Sequence, residues 1–380
     1  MRKIVFGWVL ALALLLAAAC ENTIRYEYDR NDGQITLLSQ MYTSETEHTV
    51  ILSMSYPDRV EALTGASVVC YVNDVRHVAE EQPPRMVEQY EYDPVNNEDV
   101  IVVRPQQSNH TEYIFSAVFR PGDQVRVEAS KGALKAWAEV TVPQPATLVK
   151  ADTALVERTI HYVDIDGDYS YEDAFMDIAV TIRDVPGEDN YYSLTASSRA
   201  EGEFRYLDDE GMVTKTEWYS AEDKGISYET FHDKILEDGY SAGDSSSLLE
   251  DFLATNEMHC FSDKEFKDGE AVLHPSFDAY RFRPGGFEYY YWMVPEAQEG
   301  DLHTVFTLHL RSFDRDFYNY LRAINNMQTY GYDVTPIIEP TMLPNNVVGG
   351  FGMVSVAAES THSFDLGTVH IHRNHPGIYY

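Results

Sequence analysis

The chain has 380 residues, 44% of them hydrophobic, enough to bury a sizeable core, and a formal net charge of −34. So large an acidic excess repels nucleic-acid phosphates, which excludes nucleic acid as a partner, and it disfavours broad contact with anionic lipid head groups. The length suggests two domains or three. The 27 tyrosines, against 17 phenylalanines and 4 tryptophans, favour strands and half-wet surfaces, and suit either a plain β protein or aromatic platforms for a ligand.

The chain opens with Met1-Arg2-Lys3, a short positive segment, then an apolar run from Ile4 to Leu16 and the small residues Ala17-Ala18-Ala19 before Cys20. This order reads as a secretory signal peptide over residues 1–19, and the run is short of the ~20 residues that span a bilayer. Cys20 is the expected lipid acceptor, although Leu16 stands one place earlier than the usual lipobox leucine and Ala17 takes its position. A soluble secreted protein cut near Ala19 is the alternative. An acylated Cys20 (palmitate among its chains) would be the contact with the outer membrane, since each buried methylene adds ~0.8 kcal/mol. Residues 20–32 read as a polar tether; Glu21 is the lone acid before Asn22-Thr23-Ile24-Arg25, so the periplasmic or cell-surface face stays open.

Strands follow in close succession at 34–41, 48–55, 66–73, 99–104, 113–119, 124–129 and 133–142. Val125-Arg126-Val127-Glu128 and Trp137-Ala138-Glu139-Val140 alternate with period two, the mark of a half-buried strand. Arg120-Pro121-Gly122-Asp123 is a type II turn in which Pro121 sets φ and Gly122 supplies the positive φ. Seven short strands with turns predict an immunoglobulin-like β-sandwich over residues 33–143, with the acidic, Pro-bearing insert 80–98 as a surface loop. Pro143-Gln144-Pro145 marks the boundary, because proline cannot continue a central strand.

Residues 146–380 predict a larger β-rich domain with one or two helices. Strands are expected at 176–183, 191–197, 271–273, 280–282, 287–294 and 302–312. The pattern loosens from Tyr219 to Cys260, where Ser245-Ser246-Ser247 precedes a short capped helix. The best helix is 315–330, with Phe317, Leu321, Ile324 and Gln328 on one stripe, Tyr320 and Met327 beside it, Ser312 or Asp314 as cap and Gly331 as terminator. Strands 354–358 and 364–372 close the chain.

Few residues point to chemistry. Asp164, Asp166, Asp168 and Ser170 alternate oxygen ligands on a turn and form a candidate calcium site. The segment is not an EF-hand loop, because Tyr169 stands where glycine is needed and Phe175 where the bidentate Glu would be; the competing reading is an acidic surface turn. His370 and His372 share a strand face with His375 just beyond, a weak transition-metal pattern. Gly349-Gly350-Phe351-Gly352 runs into strand residues and not a helix, so close backbone approach explains it better than phosphate binding. Cys70 and Cys260 are expected as buried free thiols. No Gly-x-Ser-x-Gly elbow exists, and paired carboxylates carry no signal among 62 acids, although a glycosidase needs no short motif.

Several segments in order resemble one family. These are the strand pair Ile35-Thr36-Leu37-Leu38 and Thr49-Val50-Ile51-Leu52-Ser53, then Leu63-Thr64-Gly65-Ala66-Ser67-Val68, then Tyr113 through Pro121-Gly122 and Ala138 to Pro143. Phe261-Ser262-Asp263-Lys264-Glu265-Phe266-Lys267-Asp268-Gly269, the helix from Ser312 to Gln328, and Pro344-Asn345-Asn346 through Gly352 complete the set. The pattern resembles the Bacteroidota lipoproteins grouped as domain of unknown function 4249; the insert after Glu80 and residues 202–259 depart from it. The resemblance implies genes beside TonB-dependent receptors and no catalytic residues. The expected function is a non-enzymatic accessory or binding subunit beside a TonB-dependent β-barrel transporter. A surface adhesin or fimbria-like subunit is the alternative, and a glycan or peptide hydrolase the lesser one. No cofactor besides calcium is implied.

Overall fold

The computed structural model describes residues 33–93, 98–164, 167–207, 211–230, 233–237, 258–282, 299–330 and 343–372. The expected signal segment, Cys20, the expected tether, the expected helix after Ser245, the expected strand 287–294, Gly331 and His375 lie outside the described residues. Among the described residues no helix is long and apolar enough to cross a membrane.

The chain is mainly β. The first part supplies β1 (Gln34–Tyr42), β2 (Glu47–Ser55), β3 (Val60–Ala62), β4 (Ser67–Val72), β5 (Val75–Glu81), β6 (Met86–Asp93), β7 (Glu98–Pro105), β8 (Thr111–Ser116), β9 (Gln124–Lys131) and β10 (Leu134–Thr141). The second supplies β11 (Thr147–Asp164), β12 (Gly167–Arg183), β13 (Tyr191–Leu207), β14 (Val213–Ile226), the single-turn α1 (Lys234–Glu237), β15 (Cys260–Ser262), β16 (Glu270–Leu273), β17 (Ser276–Asp278), β18 (Glu299–Phe313), α2 (Arg315–Tyr330) and β19 (Phe351–His372).

One sheet runs through both parts in the order β10-β9-β4-β5-β8-β2-β1-β19-β18-β13-β14, with β3 on β2 and β15 on β13. β5 turns the sheet, pairing through Val75–Ala79 with β4 and through Glu80 and Glu81 with β8. Inward residues from both limbs, among them Leu37, Leu52, Val68, Cys70, Tyr113, Val127, Ala138 and Val356, fill one core. Asn73 and Asp74 both take positive φ, as the tight turn between β4 and β5 demands. At the predicted type II turn, Asp123 N–H donates to Arg120 O at 3.0 Å and Gly122 has φ +88°.

The last strand ties the molecule together. Residues 351–357 of β19 pair in parallel with Thr36–Tyr42 of β1, and residues 358–372 pair antiparallel with β18. The last strand thus lies beside the first and completes the sheet begun at residue 34. A second sheet, β11-β12-β16 with β17 on β12, faces β13 and β18 across a core of Ile178, Val180, Ile182, Leu194, Phe277, Phe306 and Leu308. A third cluster joins the parts: Phe317 and Tyr318 of α2 pack with Cys260, Phe313, Met353 and Ala357.

α2 spans the predicted 315–330, and its Asp314 cap accepts the Phe317 N–H at 2.8 Å. Ser312 instead accepts the Ala146 N–H at 3.0 Å, and Ser360 Oγ donates to Ala146 O at 2.6 Å, so the link after Pro145 is clamped on both sides. The expected loop 80–98 is largely structured, since residues 86–93 form β6 and pair with β7 as a separate ribbon. β11 to β14 are far longer than their apolar runs suggest. Most described side chains of β14 and of residues 151–160 in β11 are exposed and carry no core periodicity, whereas β13 stays paired between β14 and β18 with Ala200 and Phe204 buried. Residues 280–282, expected as a strand, belong to the 3-10 turn Ala279–Phe282.

Candidate functional site

The motifs that carry the family resemblance do structural work. Tyr113 is 1% exposed, and its hydroxyl donates to Leu63 O at 2.8 Å while accepting the Ala66 N–H at 3.0 Å, which ties down the Gly65-Ala66 corner. In the mid-chain signature, Phe266 stacks on Tyr192 at 5.9 Å and Asp263 accepts the Asn190 N–H at 2.9 Å. Near the C-terminus, the Asn346 amide copies a strand neighbour: Nδ2 donates to Val354 O at 2.7 Å and Oδ1 accepts the Val354 N–H at 3.0 Å. The glycines that follow fit the expected close approach. A Cβ on Gly350 would stand 2.2 Å from Ile35 O, and one on Gly352 2.0 Å from Leu37 O.

Cys70 and Cys260 are buried free thiols in separate cores. Burial pushes the Cys70 thiol up to about 12 and raises Cys260 as well, so neither is a ready nucleophile. The candidate calcium segment forms the closing end of the β11–β12 hairpin, where Val163 pairs with Asp168 and Asp164 with Gly167. Asp166 lies outside the described residues, and Ser170 is exposed on β12. Among the described residues no three His, Cys, Asp or Glu side chains gather to hold a metal ion. His370 is exposed, and its Nδ1 lies 2.7 Å from Asp301 Oδ1. His372 pairs with Glu299 by backbone register.

A polar cluster no motif announced lies where the two parts meet. Side chains of β13, β18 and β19 converge there, because Thr195 pairs with His309 and Arg311 with Glu359 in register. Ser197 Oγ lies 2.8 Å from His309 Nε2. His309 Nδ1 lies 3.3 Å from Glu359 Oε1, though off the line of a hydrogen bond. Arg311 donates to Glu359 Oε2 at 2.7 Å and to Thr195 Oγ1 at 3.1 Å, and stacks over the Tyr42 ring at 4.4 Å. Thr43 completes the link by accepting the Glu359 N–H at 3.1 Å. Burial of Glu359 opposes its ionisation, but the His309 and Arg311 contacts outweigh it and hold the carboxyl down at about 2. The cluster locks β18 to β19 through a partly buried ion pair and ties the end of β1 to it through Tyr42 and Thr43.

Ser197, His309 and Glu359 follow the contact order of a hydrolytic triad. Their setting differs from one. Ser197 lies inside a strand paired on both sides, whereas a triad serine stands on a sharp turn beside free N–H donors.

A second ordered surface lies on the outer face of the same strands, toward β14. Register pairs Trp218 with Glu203, Glu203 with Asp301 and Asp301 with His370, a row of one residue per strand on one face. Arg205 bridges Glu203 at 3.3 Å and Asp301 at 3.1 Å. The His370 contact, with Arg205 beyond it, holds the Asp301 carboxyl below the usual range. This surface was missed because the strand 213–226 shows no apolar alternation; the available signal was the polar-apolar alternation of Asp301-Leu302-His303 on its neighbour.

No curated protein matches the chain. The profile of one family, a domain of unknown function (DUF4249), matches residues 21–363, which takes in nearly every described residue and all the structural motifs above. The chain belongs to the DUF4249 family.

Proposed function

We propose that the protein is a lipid-anchored outer-membrane subunit that binds beside a TonB-dependent β-barrel transporter and catalyses nothing itself. The observation that carries this reading is the leader of residues 1–19 with its small residues directly before Cys20. The strand architecture supports a gripping role. The β6–β7 and β11–β12 ribbons extend past the cores and expose Met86, Val103, Leu155 and Tyr171, apolar side chains that the chain's own cores do not use. The test is purification of the tagged full-length chain from gently solubilised outer membranes. A β-barrel protein is expected in near-equal amount, and its absence removes the partner claim. Mass spectrometry of the mature N-terminus is expected to find acylated Cys20; an unmodified thiol on a freely diffusing protein removes the anchor.

The Ser197–His309 contact favours a second reading, hydrolysis. Labelling of Ser197 by a fluorophosphonate, abolished in His309→Ala, would support it over the first. A fimbria-like subunit would instead add strands at the β14 edge. That edge carries the ion pairs Lys215–Glu217 and Lys224–Glu222, charges that discourage strand addition.

A further inference from the structure

We propose that the outer face of β14, β13, β18 and β19 binds an uncharged glycan, with Trp218 as the stacking platform. The proposal stands apart from the anchor and the transporter partner. Trp218 is 69% exposed, which leaves most of a large indole face in water. Such a face is suited to stack on the apolar side of a sugar ring. Thr216 and Ser220 stand two positions to either side of it on the same face of β14, and supply hydroxyls rather than a continuous apolar patch. The row Trp218–Glu203–Asp301–His370 crosses four strands, about 14 Å at the usual strand spacing. It therefore offers one aromatic end and a line of hydrogen-bonding groups, the usual division between affinity and orientation in a ligand site.

The charges on this face decide the ligand class. Arg205 lies between Glu203 and Asp301, Arg199 pairs with Glu201 at 2.6 Å, and His370, a cation only when protonated, lies against Asp301, so the face keeps an acidic excess. An acidic face whose guanidinium groups are already paired repels phosphate and sulfate, while its fixed carboxylates and N–H groups offer acceptors and donors to vicinal hydroxyls. The row is also braced from behind. Phe204 is buried edge-on to Tyr219 at 5.3 Å and fills the space over Gly300, where a Cβ would stand 2.5 Å from its ring. A Cβ on Gly202 would lie 1.7 Å from Asp301 O, so β13 and β18 approach as closely as backbones can. A site already held flat loses little freedom on binding.

The experiment is native affinity electrophoresis of the full chain in mild detergent, through gels containing dextran, xylan, mannan or mixed-linkage glucan, with polygalacturonate as the acidic comparison. At least one neutral polymer is expected to retard the protein. Trp218→Ala is expected to weaken retardation about tenfold or more, and Glu203→Ala with Asp301→Ala to weaken it by a lesser factor, while thermal melts stay unchanged. Bound polymer is also expected to shield Trp218 from acrylamide quenching. Retardation by none of the neutral polymers, by polygalacturonate alone, or equally in Trp218→Ala overturns the proposal. The gel needs no barrel partner, so failure here and failure of the pull-down are separate results.

Discussion

The two halves of β19 are one continuous strand built on opposite rules. Residues 353–358, Met-Val-Ser-Val-Ala-Ala, are buried without a break, and this half lies edge to edge between β1, to which it runs parallel, and the Asn346 amide. Residues 359–368 alternate between half-buried and exposed, run antiparallel to β18, and leave one face in water. The first half is covered on both faces, by the first core and by the cluster under α2, whereas the antiparallel half leaves one face free to carry polar groups. The first half is therefore structural, and the second half and its neighbours carry the Glu359 cluster and the Trp218 row. Glu359 sits where the parallel pairing ends and the antiparallel pairing runs on, and is held there by its ion pair with Arg311.

The comparison is broken most severely at the glycines of the first half. Gly352→Val puts a side chain against Leu37 O at a position with φ +126°, and is expected to cost more than about 4 kcal/mol. Hydrogen exchange should show lost protection across Thr36–Tyr42; retained protection there would mean the parallel pairing is not needed. Next in size is Phe306→Ala, beneath the second half, which removes a ring packed at 5.1 Å on Phe277. Urea unfolding is expected to fall by about 3–5 kcal/mol.

Glu359→Gln follows, at about 3 kcal/mol near neutral pH. The Glu359 carboxyl is held at about 2, below its usual 4.5, so its contribution is complete above pH 4.5 and disappears as pH falls toward 2. Wild-type stability should drop through that window while the variant's acid limb is flatter by the same amount. Equal slopes would place the acid sensitivity elsewhere. Asp314→Ala removes the α2 cap and is expected to lower stability by about 1 kcal/mol in thermal melts. The smallest effect belongs to Arg183→Ala, whose pair with Glu270 is exposed on both sides. A shift above about 0.5 kcal/mol would show that exposed pairs on the second sheet matter more than that setting allows.

The helix 315–330 was legible because its stripe is long and capped. Its buried side keeps Phe317 and Leu321 of the expected stripe with Tyr320 beside them, and adds Tyr318 and the polar Asn325. The glycines at 349–352 were legible as close-approach residues because strand residues follow them directly. β19 reads as two strands because Glu359 to Ser363 is polar, yet that polarity belongs to the junction cluster and to a solvent-facing side rather than to a turn. Ser197, His309, Arg311 and Glu359 come from three separated segments, and nothing in their spacing predicts their meeting.

By itself the sequence determined the mainly β character, the capped helix and the places where backbone must approach backbone, since each follows from local periodicity or from a missing side chain. Only the tertiary structure decided that β19 lies beside β1 and that charges distant in sequence share one partly buried lock. It alone decided that a tryptophan on an edge strand heads a row across four strands. Register between strands is settled by long-range pairing, and no local pattern encodes which distant residue stands opposite another.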